Sequence, residues 1–216
     1  MRQCCAHSAG NTFDDVFGFV LGNYPTCVDN PENGFGGESF MGISRAANPE
    51  WPGWFVLDRR RDAAGIDAPA DLRGLARAFY KGHYWRAVYA DAMPAALAAA
   101  VFDSAVVHGR NRALRFLQEA LNNVYGFRRV EVDGILRLDS RQALDVLVSR
   151  DAWYVQTLAT ETLRIRQGCC DLIACGDLRV RSLCRERLAG VRRMAERPGE
   201  TAPVMPGEIA GMGVAG

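Results

Sequence analysis

From Tyr24 to Trp54 the chain runs through glycine, proline and asparagine with no lasting hydrophobic period. Nearly everything on either side has the spacing of amphipathic helices. That contrast constrains the fold more than any other feature. Loops of this length are uncommon inside compact domains and are usually functional, so the helices must build a core that holds one open stretch in place.

The helices can be placed from their apolar spacing. Thr12 is positioned to cap a helix in which Phe13, Val16, Phe17, Val20 and Leu21 share a face, with Asp15 in a shortened capping box and Gly22-Asn23 at the end. The loop then leaves room for a short hairpin. A second helix starts at Asp71, with Leu72, Leu75, Ala76, Phe79 and Tyr80 on one side, and a third starts near Pro94 and carries Leu97, Val101, Phe102 and Ala105. A fourth covers about 111–123, and Asp133-Gly134 makes a turn. Ser140 is placed to cap a helix holding Ala143, Leu144, Leu147 and Val148, and two more helices are expected at about 151–167 and 171–196. The predicted class is all-α.

With 216 residues, 49% hydrophobic content and 24% charge, the chain is an ordinary globular protein large enough for a sizeable core. A net charge of +1 gives no drive toward nucleic acid or membrane surfaces. Arginines are denser in the C-terminal part, but acids are interleaved with them and they read as solvated helix faces. No apolar run is long enough to span a bilayer, and the first residues lack a signal-peptide stretch. Cys4, Cys5, Cys27, Cys169, Cys170, Cys175 and Cys184 form neither a disulfide framework nor a metal-ligand spacing, and read as free thiols on helices. No cofactor or metal is implied.

Several motifs in order along the chain resemble family 108 of the glycoside hydrolases, the lysozyme-like N-acetylmuramidases and secretion activators. That family opens with a helix, Glu-Gly-Gly-Tyr, an Asn/Asp-Pro stretch and Gly-Gly-x-Thr-x-x-Gly-Ile. Here the matching residues are Tyr24-Pro25-Thr26-Cys27, Asp29-Asn30-Pro31, Gly36-Gly37-Glu38-Ser39 and Gly42-Ile43-Ser44. Tyr84-Trp85, Ala92-Met93-Pro94, Phe102-Asp103-Ser104-Ala105-Val106-Val107-His108-Gly109, Leu117-Gln118-Glu119-Ala120-Leu121 and Val132-Asp133-Gly134-Ile135 continue the match, with Val107 where asparagine is expected. The resemblance implies a lysozyme-like domain over 12–125, with the Gly/Pro-rich stretch as its active-site loop. A smaller peptidoglycan-binding-like helical region over 126–197 follows, and the Pro/Gly-rich composition from Pro198 predicts a disordered tail over 198–216.

Tyr24 occupies the position of the family's catalytic glutamate. Cleaving a muramyl glycosidic bond needs a proton delivered to the leaving oxygen as oxocarbenium character develops. A carboxyl tuned toward working pH can deliver it, whereas a phenol with an unperturbed pKa of about 10 is a poor donor. Tyr24 therefore reads either as a helix-end packing residue or as a sugar-contacting one. Glu38, in the glycine turn, is the best substitute carboxylate, while Asp29 and Glu32 read as solvated loop charges.

Trp51, Trp54, Tyr84 and Trp85 could stack on sugar faces. Core packing is the competing reading for Trp85, and the Pro/Gly surroundings of Trp51 and Trp54 suggest exposed platforms. Asp103 reads as a buried hydrogen-bonding acid or a glycan contact, and His108 as a helix-end residue or a member of the site.

The resemblance gives peptidoglycan glycan strands as the target. A lysin lacking a signal peptide would be made in the cytoplasm and reach the wall through a holin. Two functions follow from different classes: a muramidase of endolysin or secretion-activator type, and a non-catalytic module of the same fold that holds glycan or a partner. The oligomeric state is left open.

Overall fold

A computed structural model describes residues 13–21, 28–30, 37–61, 70–173, 189–191 and 193. The expected cap at Thr12, Tyr24 itself, the tail over 198–216 and all cysteines except Cys169 and Cys170 lie outside the described residues. The chain is mainly α, as its periodicity requires. It divides into two compact units, Met1–Ala87 and Val88–Gly216.

In the first unit, α1 (Phe13–Leu21) buries Phe13, Val16, Val20 and Leu21, the spacing read from the sequence. α3 (Ala70–Tyr80) buries Leu72, Ala76 and Tyr80. Arg77 of α3 forms a forked ion pair with Asp14 of α1 while its guanidinium lies 5.5 Å from the centroid of Phe13. α3 runs directly into a π-helical turn, Lys81–Trp85, which delivers Trp85 edge-on to Phe13 at 5.3 Å. Such turns often mark functional positions.

The loop holds more structure than a short hairpin. β1 (Val28–Asn30), β2 (Gly37–Phe40) and β3 (Ile43–Ser44) form an antiparallel sheet in that order. Asp29 pairs with Glu38 in the β1–β2 register, and Phe40 with Ile43 across a two-residue turn. Both turn residues have positive φ, 47° at Met41 and 81° at Gly42, as a tight hairpin twisted with its strands demands. The left-handed conformation is unfavourable for methionine. It is held by burial of the side chain and by Tyr80, whose hydroxyl donates to the Met41 carbonyl at 2.7 Å.

α2 (Gly53–Arg61) is a helix that the periodicity did not predict. Trp54 and Leu57 are buried, whereas Phe55 is 65% exposed and three arginines follow, so no apolar stripe marks it.

The second unit is built on α4 (Ala95–His108), which is buried continuously from Leu97 to Ala105 and so packs on more than one side. α5 (Arg110–Tyr125) and α7 (Ala152–Ile173) both pack on α4 and on each other. Gly109, at φ 84°, ends α4 and starts α5. Buried Gln118 of α5 pins the Asp133-Gly134 turn: its amide nitrogen donates to Asp133 Oδ1 and the Ile135 carbonyl, and its oxygen accepts from Gly134 N at 2.8 Å. Gly134 has φ 81°, and a Cβ there would lie 2.6 Å from the Asn111 backbone oxygen. Gly134→Ala is expected to lower stability by more than about 1 kcal/mol, read as a shifted urea midpoint at unchanged slope.

Two expectations for this unit need correction. The helix assigned to Ser140 as cap is α6 (Leu138–Val148), which starts three residues earlier, with Arg137 at the cap. Ser140 is instead buried in its first turn, with its amide bonded to Asp139 Oδ1 at 2.7 Å. The pair of helices expected at 151–167 and 171–196 is, as far as residue 173, the single helix α7. It runs through Gly168 because Leu163, Arg166 and Cys170 share one buried stripe, and packing outweighs the glycine cost of about 1 kcal/mol.

Glu161 ties α7 to α5, accepting from Asn123 at 2.7 Å and from both arms of Arg164. The Arg164 hydrogen bonds, seconded by Asn123, hold its carboxyl below the usual carboxylate range. A depressed folded-state pKa means stability that is complete above the unfolded value and is lost as pH falls through the folded one. Glu161→Gln is therefore expected to reduce the loss of stability on acidification below about pH 4, measured by urea midpoints across pH.

Candidate functional site

The residues singled out from the sequence fall into three groups. The first surrounds Glu38, whose side chain is 10% exposed. Arg45, which leaves β3, places Nε 2.6 Å from Glu38 Oε2. The same guanidinium forks onto Asp58 of α2, NH1 to Oδ2 at 3.0 Å and NH2 to Oδ1 at 2.6 Å. The face of that guanidinium lies 4.6 Å from the centroid of Trp54. One arginine thus joins β2, β3 and α2. Its own pKa is raised, first by the Asp58 hydrogen bonds and then by the Glu38 and Asp58 charges, against the lowering effect of burial.

Trp51 and Trp54 belong to the same group, but not as exposed platforms. They are 6% and 3% exposed. Trp51 stacks on Phe40 at 5.6 Å and meets Trp54 edge-on at 4.9 Å. Its ring lies where Gly53 has no side chain, since a Cβ there would be 2.1 Å from it. Trp54 Nε1 donates to the Asn48 carbonyl at 2.7 Å, while Trp51 Nε1 is buried with no acceptor among the described residues. The Pro/Gly neighbours that suggested exposure instead let two large rings close on one another.

Tyr84 and Trp85 form the second group, on the π-turn. Tyr84 is half-buried, 5.5 Å from Tyr80 and 6.2 Å from Phe79, so part of its ring stays accessible. Trp85 is 1% exposed and packs in the core.

The third group is in the second unit. Asp103 is 0% exposed and ion-paired with Arg166 of α7. His108 is half-buried at the end of α4, with Nε2 3.4 Å from Cys170 Sγ and its ring edge-on to Phe116 at 5.7 Å. Cys169 and Cys170 are free thiols, the latter buried. Among the described residues no cluster of histidine, cysteine and carboxylates could hold a metal.

Sequence reasoning did not identify the partners that fix these groups. Arg45, Asp58 and Arg166 join residues brought together only by folding, and no local motif marks them. It also missed an open groove of about 900 Å³ in the second unit, lined in part by Glu119, Asn123, Phe127, Glu161 and Arg164. Phe127 there is 58% exposed.

The immediate neighbour of the Glu38 carboxyl is a cation, Arg45. A carboxylate ion-paired to a guanidinium has no proton to give while the pair holds. Held against Arg45, Glu38 can orient a hydroxyl or stabilise positive charge.

The family profile described as Glycosyl hydrolase 108 matches residues 19–109. Tyr24, Glu38, Trp51, Trp54, Tyr84, Trp85, Asp103 and His108 all fall inside that span. Among solved structures, the one titled "Structure of Brucella abortus SagA" is similar at 22% identity and a TM-score of 0.49, covering 84% of this chain and 95% of that one. No curated protein matches the sequence. No helix among the described residues is long and apolar enough to cross a membrane.

Proposed function

We propose that this chain is a peptidoglycan-directed, lysozyme-type glycoside hydrolase. In this reading it engages glycan strands and turns them over slowly, because its proton donor has been replaced. The similarity to glycosyl hydrolase 108 over residues 19–109 carries the substrate class. The loss of turnover rests on Tyr24 at the donor position and on Glu38, which Arg45 occupies at 2.6 Å. The site comprises Tyr24 and Glu38 for the reacting bond, with the accessible part of Tyr84 as a sugar contact.

The non-catalytic reading, a glycan-holding or lysis-accessory module of the same fold, is favoured by that ion pair, which leaves no carboxyl beside Arg45 ready to donate. In either case the region over 126–197 contributes to holding the wall polymer, and the groove beside exposed Phe127 suits a sugar face. Action at the wall, after synthesis in the cytoplasm and release through a holin, completes the reading.

The test is co-sedimentation of the purified protein with insoluble peptidoglycan, run beside a zymogram. Sedimentation with faint clearing is expected. Strong clearing by the natural protein would overturn the impaired-enzyme reading, sedimentation with no clearing would leave the binding module, and absence of sedimentation would remove both.

A further inference from the structure

We infer that the groove of the second unit recognises a primary ammonium carried beside a sugar ring, and that its ligand is wall glycan whose attached peptides keep a free amine. The inference rests on the glycan-directed reading above and says which part of the polymer this region holds. Glu119, Asn122 and Asn123 lie at i, i+3 and i+4 of α5 and line the groove as one stripe, and α7 contributes Glu161 and Arg164. Asn123 ties the two helices together through Glu161 at 2.7 Å. Asn122 pins the loop that carries Arg128 and Glu131. Its Oδ1 accepts from Arg129 N and Val130 N at 2.7 and 2.8 Å, and its Nδ2 donates to the Val130 carbonyl at 2.9 Å. The groove is therefore built before a ligand arrives, which lowers the ordering cost of binding. Its volume of about 900 Å³ is more than one sugar ring fills and sits near the top of the range of about 300–1,000 Å³ for small-molecule sites.

Two features select the ligand. Phe127, 58% exposed, offers a ring face, and it is backed edge-on by Tyr125 at 5.8 Å, whose hydroxyl donates to the Ala143 carbonyl at 2.9 Å. The second feature is charge. Arg128 is paired with Glu131, and Arg164 with Glu161. Glu119 is left over: it acts on Arg164 through its charge, but has no ion pair at contact distance among the described residues. A sugar hydroxyl does not require that surplus carboxylate. An ammonium does, through a charge-assisted hydrogen bond, and it also gains from the face of an aromatic ring. An anionic group would find both arginines already engaged and Glu119 repelling it. On wall glycan, a primary ammonium is available where the attached peptides carry a diamino acid that is not cross-linked. The groove thus favours peptide-bearing, uncross-linked strands over bare glycan.

The test measures co-sedimentation with intact peptidoglycan, with the same material after acetylation of its amines, and with glycan stripped of its peptides by an amidase. The natural protein, Glu119→Gln and Phe127→Ala are compared, with folding checked by circular dichroism. The natural protein is expected to bind the intact material about threefold to fivefold more tightly than either of the others, with the preference shrinking as salt rises. Glu119→Gln should lose the preference and keep the binding to stripped glycan, whereas Phe127→Ala should weaken binding to all three. Acetylation leaves the wall more negative, which would not weaken non-specific attraction to a chain of net charge +1. A loss on acetylation therefore has the sign of a specific contact.

Equal binding to intact and acetylated material, or an undiminished preference in Glu119→Gln, would overturn the inference and leave the glycan reading standing. A preference that survives peptide removal but not acetylation would place the ammonium on the sugar itself and overturn the peptide assignment. Unaltered binding by Phe127→Ala would overturn the sugar platform, and Glu119→Gln carries the test if Phe127→Ala does not fold. Absence of sedimentation with all three preparations would instead remove the glycan reading, and the inference with it.

Discussion

Tyr24→Glu is expected to raise peptidoglycan clearing by about 10²–10⁴-fold, the usual range for a positioned general acid. A phenol ordinarily titrates near pH 10 and gives up its proton reluctantly, whereas a carboxyl beside apolar walls is readily tuned to do so. In the proposed reading Glu38 does not make up the loss, its carboxyl being held 2.6 Å from Arg45 Nε. The readout is fragment release with time, compared with Tyr24→Phe, which removes only the hydroxyl. Equal rates for Tyr24→Glu and the natural protein would mean that position 24 does not deliver the proton. A marked loss in Tyr24→Phe would mean that the phenol itself contributes.

The parts of the fold that could be read from the sequence are those in which one helix face meets one core. Phe13, Val16, Val20 and Leu21 repeat at helical spacing and are buried together, and α3 and α5 follow the same logic. α2 was not legible because its buried residues, Trp54 and Leu57, are followed by arginines and interrupted by exposed Phe55, leaving tertiary contacts to hold it. The candidate site was legible as a set of residue types but not as an arrangement. Nothing in the sequence near Glu38 indicates that Arg45 will reach both it and Asp58, since β2, β3 and α2 converge only after folding. The aromatic pair misled for a related reason: the missing side chain of Gly53, which looks like loop flexibility, is the space that buries Trp51. The family-like pattern Phe102-Asp103 likewise marks an important acid without showing that its partner is Arg166.

That pair carries the largest stability effect expected of the chain. Asp103 and Arg166 are 0% and 1% exposed and join α4 to α7 in the core of the second unit. Arg166 Nε is already buried without an acceptor among the described residues, so little else offsets its desolvation. Asp103→Ala removes the counter-charge and leaves a guanidinium stranded, which should cost about 3–5 kcal/mol of unfolding free energy. Against a total of about 5–15 kcal/mol for an ordinary domain, that is enough to bring the protein close to unfolding.

Replacing both partners, Asp103→Leu with Arg166→Met, removes both buried charges and should recover most of the loss, since such swaps are often neutral or better. Urea midpoints for the singles and the double form a cycle whose coupling term isolates the pair. A cost below about 1 kcal/mol for Asp103→Ala would show that solvent reaches Arg166 and that the pair does not hold the two helices together. The same double variant tests the other reading of Asp103. If this acid contacts glycan, the stabilised double should lose co-sedimentation with peptidoglycan. If it is structural, as its complete burial against Arg166 argues, co-sedimentation should be retained.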